Sequence, residues 1–164
     1  MTTMTKDAQV SRVYKSEELF GRLLDNALEF PFVQIWGSQI PVPSHEKKFG
    51  DLDGVRRYVL WLFSTPWMSE NYPDAKAPGV MLRRGDKMAH YQWGTIYVPA
   101  VQRGGRWAMR EIVVLHEVAH HLTRGVDQSH GTEFTQAFLA LVTEYLGEEA
   151  GFILKHFYIS NEVK

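Results

Sequence analysis

One stretch, from residue 112 to residue 122, constrains the fold of this 164-residue chain more than any other. Apolar side chains fill adjacent as well as helically spaced positions there: Ile112, Val113, Val114, Leu115, Val118, Ala119 and Leu122. A helix that is apolar almost all round is covered by other elements on several sides. The stretch therefore predicts a central helix that begins near Trp107 or Ala108 and ends near Thr123.

The polar residues of interest within this helix are His116, Glu117 and His120. Four residues advance a helix by about 400°, so the two imidazoles lie roughly 40° apart around the axis and about one turn apart along it. Both rings can therefore bind the same metal ion. Glu117 flanks the pair, where its carboxylate can reach a water molecule on the metal as a general base. Burying three such groups unpaired is costly, and a bound cation removes that cost.

A catalytic zinc ion usually has three protein ligands and one position open to water. The candidate for the third ligand is His130, which lies in the segment 123–131 that turns the chain before the next helix. A downstream glutamate, Glu133 or Glu144, is the alternative third ligand, and Glu144 is favoured of the two. His121 lies about 140° from His116 around the helix axis. We therefore expect His121 to face solvent or a carboxylate rather than the metal.

Composition excludes several classes of site. The chain has no cysteine, which rules out thiolate nucleophiles, iron–sulfur clusters and cysteine-containing zinc sites, so any metal is bound by His, Asp or Glu. Eighteen Lys and Arg against nineteen Asp and Glu give a formal charge of −1, which disfavours nucleic acid as a partner. The sequence shows neither a signal-peptide core nor an apolar run of membrane length, and we expect a cytoplasmic protein.

The length favours one domain, which we place over residues 13–164, preceded by a flexible N-terminal segment over residues 1–12. Ser16 is the expected cap of a first helix. The other elements expected in this half of the chain are a strand over 32–36, a turn-rich loop over 37–48, a helix capped by Asp51 and ending near Phe63, and a long surface loop over 64–79.

From Val80 onward, short apolar runs separated by glycine turns predict two or three strands in a small antiparallel or mixed sheet. The helices expected after the central helix are a long one over 132–146, ended by Gly147, and a short one over 149–157. Helices combined with a small sheet place the chain in the α+β class.

The segment HEVAHHLT, followed by SHGTEF, resembles the signature of the zincin metallopeptidases, and most closely their SprT-like branch, which includes Spartan. The positions that match are His116, Glu117, His120, His130, Gly131 and Phe134. The resemblance covers about residues 107–138. It implies one Zn²⁺ per chain, bound by His116, His120 and His130, with Glu117 activating water, in a zincin-like fold whose small sheet packs on the active-site helix. The whole chain is also similar to small bacterial proteins described as metallohydrolases.

The sequence departs from two groups of zincins, the metzincins and the Spartan-like proteins. Thr123 and Val126 stand where a metzincin needs Gly and His, which disfavours that branch. Spartan-like proteins usually add a cysteine zinc ribbon or another DNA-binding region, whereas this chain lacks cysteine and any cationic excess. DNA-linked proteolysis is therefore disfavoured.

These observations predict a zinc-dependent hydrolase, most simply a metallopeptidase that acts on a peptide or protein substrate. The strand over 95–98 resembles the edge strand on which zincins align a peptide. The residues considered as donors to the transition state are Tyr97, Tyr91, His90 and Arg103. Two alternatives stay open: a catalytically weak or inactive, metal-stabilised module that binds a protein partner, and a hydrolase of non-peptide amides or esters.

Overall fold

The structure, a computed structural model, describes residues 5–83, 88–99, 109–126 and 129–164. These residues form an α+β fold, as expected. The helices are α1 (Lys6–Asp25), α2 (Leu52–Leu62), α3 (Pro66–Asn71), α4 (Glu111–Leu122), α5 (Thr132–Leu146) and α6 (Glu148–Ser160), and the strands are β1 (Phe32–Ile35), β2 (Ser38–Pro41), β3 (Gly79–Arg83), β4 (His90–Gln92) and β5 (Thr95–Pro99).

The chain groups into two compact units. Unit 1 comprises Met1–Glu46 and Gly125–Lys164, and unit 2 comprises Lys47–Arg124. The predicted single domain over 13–164 stays a prediction. Among the described residues, no helix has the length and apolar character needed to cross a membrane.

In unit 1, helix α1 starts ten residues earlier than the predicted cap. Thr5 caps it, since its Oγ1 accepts a hydrogen bond from the Ala8 amide at 3.3 Å. Residues 6–12, predicted as part of a flexible segment, therefore lie in the helix, while residues 1–4 fall outside the described residues. Ser16 is not a cap: it is buried in mid-helix, and its hydroxyl donates to the Arg12 carbonyl. The stripe facing the core includes polar side chains, which hid its periodicity in the sequence.

Strands β1 and β2 form an antiparallel hairpin with Ile35 opposite Ser38. Strand β2 lies within the segment 37–48, for which the sequence predicts a loop. The prediction is therefore wrong for residues 38–41. The two-residue turn consists of Trp36 and Gly37, both at positive φ (49° and 78°). Such a turn matches the twist of the strands, and it suits Gly but strains Trp.

Helices α5 and α6 complete unit 1, with α6 packed against both α1 and α5. The predicted bounds of α5 are confirmed, and Gly147 ends it at φ 108°. The predicted closing helix is confirmed as α6 and extends to Ser160.

In unit 2, helix α2 begins after Asp51, whose Oδ1 accepts a hydrogen bond from the Gly54 amide at 2.7 Å, as predicted. The loop predicted over 64–79 contains the short helix α3, which is a correction. Thr65 caps α3, Pro66 occupies its first turn, and Met68 is buried. A proline at this position fits a helix start because the missing N–H has no helical partner there anyway.

The sheet of unit 2 is mixed, with strand order β3-β5-β4. Strand β3 pairs with β5 in parallel, and β4 pairs with β5 antiparallel across a second tight turn, Trp93-Gly94. The strand predicted as an edge, over 95–98, lies in β5 and is central, so that prediction is wrong. The free edges among the described strands are those of β3 and β4.

Candidate metal centre

Helix α4 is the central element that the sequence predicts: each of its residues is buried or half-buried. It begins at Glu111, later than predicted, after Arg110 in extended conformation. The predicted starting positions, residues 107 and 108, lie outside the described residues.

The N-terminus of α4 is fixed by a buried carboxylate that the sequence analysis missed. Glu111 is fully buried and accepts hydrogen bonds from the Tyr58 hydroxyl at 2.6 Å and from the Lys47 amide at 2.9 Å. The ammonium of Lys47 lies 3.4 Å from the same carboxylate. An acidic residue directly before the apolar run over residues 112–115 of a helix predicted to be buried was the signal, since a buried carboxylate requires partners. This network anchors the helix five residues before His116.

The two histidines of α4 lie together as the spacing predicts. The Nε2 atoms of His116 and His120 are 3.2 Å apart, and the ring planes are inclined at 70°. Two nitrogen ligands of a tetrahedral zinc ion, each about 2.0–2.1 Å from the metal, stand about 3.3–3.4 Å apart. The observed spacing therefore fits two ligands of one ion. Glu117, between them in sequence, is buried.

His130 lies where the turn before α5 ends, one residue ahead of the Gly131 cap, and it is buried. Its ring contacts Tyr14 and Phe134 at centroid distances of 5.2 and 4.9 Å. One ligand nitrogen from each of His116, His120 and His130 lies within 4.8 Å of the others. The alternative ligand Glu144 is not a member of this cluster.

No family model, curated protein or solved structure matches the chain. Three imidazoles form a donor set that zinc accepts readily, and three protein ligands leave a tetrahedral ion one open position. In the part of the chain that the structure describes, this is the one group of three or more potential ligands found close together.

His121 differs from its prediction. It is buried, its Nε2 donates to the Lys76 carbonyl at 2.6 Å, and its Nδ1 accepts from the Tyr91 hydroxyl at 2.8 Å. Burial lowers the pKa of His121, and the charge of Arg124 adds to this, whereas the bond to Lys76 opposes it. The prediction of solvent or a carboxylate is wrong because α4 is also covered on this side. The ring ties α4 to β4, which carries Tyr91.

The residues considered as transition-state donors have different surroundings in the structure. The hydroxyl proton of Tyr91 is directed to His121. Tyr97 and His90 stack with centroids 4.8 Å apart and planes 8° from parallel. Arg103 lies outside the described residues.

Proposed function

We propose that this chain is a zinc-dependent hydrolase of peptide bonds. His116, His120 and His130 are the metal ligands, and Glu117 is the general base. The observation that carries the proposal is the grouping of three imidazole nitrogens within 4.8 Å of one another. Zinc, when bound, polarises a carbonyl and lowers the pKa of a coordinated water toward 7.

Glu117 supports a catalytic rather than a purely structural site. It sits on α4 between the two helical ligands and is buried. A carboxylate in this place accepts the proton of the attacking water and passes it to the leaving amine. A structural metal site needs no such base next to its ligands.

Strand β4 is the candidate surface for aligning a substrate. Among the described strands it is an edge of the mixed sheet, and it contacts α4, the helix that carries the two ligands and the base. An extended peptide adds to such an edge through main-chain hydrogen bonds. This arrangement supports a zincin-like fold and a peptide or protein substrate as parts of the proposal.

Metal binding is tested on protein purified without chelators. We expect about one zinc per chain by elemental analysis, and we expect His116→Ala and His120→Ala to lose most of it, since two ligands hold zinc poorly. His45→Ala, at an exposed position, is the control and retains the metal. If a variant with alanine at both His116 and His120 keeps its full zinc content, and circular dichroism shows that it is folded, the ligand assignment is wrong.

The role of Glu117 is tested with Glu117→Gln, which keeps the shape of the side chain and removes the base. We expect normal zinc content and a loss of about 10²–10⁴-fold in turnover. Labelled casein, a peptide library and simple amide and ester substrates serve as probes, and they also separate peptidase from other hydrolase activity. An unchanged rate contradicts the general-base role. Zinc binding without hydrolysis of any probe favours a metal-stabilised module that binds a protein partner.

A further inference from the structure

We propose that Gln9, in helix α1, is a positioning residue for the metal ligand His130. The inference rests on the proposed function, because it takes the cluster of imidazoles as a metal site. In this view the side chain of Gln9 holds the main chain at His130 and thereby sets the place of its ring. Residues 1–12 look like a simple polar tail in the sequence, so this role is not evident from composition.

The side-chain amide of Gln9 is buried, at 2% exposure, and uses its hydrogen-bonding groups on main-chain partners. Its Nε2 donates to the His130 carbonyl at 3.1 Å and to the Lys164 carbonyl at 2.7 Å. Its Oε1 accepts from the Lys164 amide at 3.2 Å. Both N–H groups and the oxygen are therefore engaged, which is what a buried amide requires. The orientation of the amide is thereby fixed.

The carbonyl of His130, which accepts this hydrogen bond, lies next to the start of α5. Gly131 is the cap of α5, so His130 precedes the helix, and its carbonyl lies outside the helical ladder of hydrogen bonds. A buried carbonyl without a donor costs about 1–3 kcal/mol. Gln9 supplies a donor from α1 and restrains the peptide that follows the ligand.

The same helix also contacts the ring of His130. Tyr14 of α1 lies against the imidazole with centroids 5.2 Å apart, and Phe134 of α5 meets it edge-on at 4.9 Å. Main chain and ring of the ligand are thus restrained from α1 at two points. Groups that orient ligands in this way commonly contribute 10–100-fold to metal affinity.

The test compares two substitutions on α1 in the full chain. Gln9→Met keeps the length of the side chain and removes the donors, whereas Ser16→Ala removes a buried hydroxyl that bonds to the main chain of Arg12 and Phe157. We expect Gln9→Met to weaken zinc binding about tenfold or more, by competition with a chromophoric chelator. Ser16→Ala should change zinc affinity less than about twofold while lowering the melting temperature of the metal-free protein.

A second readout separates positioning from general stability. Bound Co²⁺ reports the ligand field directly, and we expect its visible absorption bands to shift in Gln9→Met and to stay unchanged in Ser16→Ala. If Gln9→Met does not fold, Gln9→Glu replaces it, with the same expectations for affinity and spectrum, because a carboxylate keeps the shape of the side chain but cannot donate to the His130 carbonyl.

The positioning role is rejected if the Gln9 and Ser16 variants bind zinc alike, or if affinity merely follows the melting temperature of the metal-free protein. These outcomes leave the proposed function intact as long as the wild-type chain binds zinc and His116→Ala does not. If the wild-type chain binds no zinc, the proposed function fails as well.

Discussion

Tyr158 shows how one buried hydroxyl affects this protein. The residue is 6% exposed, and no described residue forms a hydrogen bond with its hydroxyl. Burial raises the pKa of Tyr158 well above 10, and the negative charge of Glu17 acts in the same direction. The folded chain therefore holds the phenolic proton more tightly than the unfolded chain does.

We expect Tyr158→Phe to be neutral or to stabilise the protein by up to about 1 kcal/mol at pH 7, because an unsatisfied buried hydroxyl is removed. The pH dependence has a defined sign. The contribution of Tyr158 to the free energy of unfolding is fully present below the unfolded pKa, about 10, and falls as the pH rises beyond it. Urea unfolding from pH 7 to 11 measures both effects. If the wild type and the Tyr158→Phe variant lose the same free energy of unfolding above pH 10, the raised pKa of Tyr158 is contradicted.

Single residues were predictable where their spacing carried the signal. His116 and His120 were identified because a four-residue step brings two side chains to one helix face. Gln9 was not identified, since a lone glutamine among polar residues matches a solvated tail, and its role depends on a carbonyl 121 residues away. His121 was assigned to the wrong surroundings because helical angles do not tell which elements cover a face.

At the scale of elements, the contact between α5 and α6 depends on Gly151. A Cβ built at this position overlaps the Thr143 hydroxyl and stands 2.9 Å from the Thr143 Cβ and 3.2 Å from its Cα. Because the backbone of α5 is part of this contact, rotation of the Thr143 side chain cannot relieve it. The missing side chain therefore lets the two helices approach closely.

We expect Gly151→Ala to destabilise the protein by about 1–2 kcal/mol, although alanine ordinarily favours a helix by about 1 kcal/mol. Gly50→Ala is the control, since nothing lies within 4 Å of its added Cβ, and it should change stability by less than about 0.5 kcal/mol. In a Thr143→Ala background the cost at position 151 should shrink. Denaturant unfolding measures these differences, and a stabilised Gly151→Ala protein excludes the close contact.

Element bounds were predictable where local signals mark both ends. Helix α5 has its apolar stripe and Gly147 to define it, and Asp51 marks the start of α2. Strand β2 has four residues with no alternation of burial, and it forms by pairing with β1. Helix α3 has six residues and begins with a proline, and so short a segment with a proline is typical of a loop in the sequence. Such short elements depend on tertiary contacts more than on their own propensity.

At the scale of the whole molecule, the α+β class followed from the sequence. The parallel pairing that makes the sheet mixed and the order of its strands did not. The expectation that residues 95–98 form an edge failed because β3, whose residues lie sixteen positions before their partners, pairs with β5 in parallel. Hydrophobic alternation indicates that a strand exists and which face it buries. The alternation does not indicate which strands pair with the one predicted, because pairing depends on segments that are distant in the sequence.

The two Trp-Gly turns also have a practical consequence. Trp36 in unit 1 and Trp93 in unit 2 are 70% and 91% exposed, because each indole sits at the tip of a hairpin. Their fluorescence is accessible to collisional quenchers such as iodide, unlike that of an indole in a protein interior. Because the chain has five tryptophans, a variant that keeps only Trp36 or only Trp93, with the other four replaced by phenylalanine, carries a single exposed intrinsic reporter. Local opening in each half of the protein can thus be followed separately, with no dye attached.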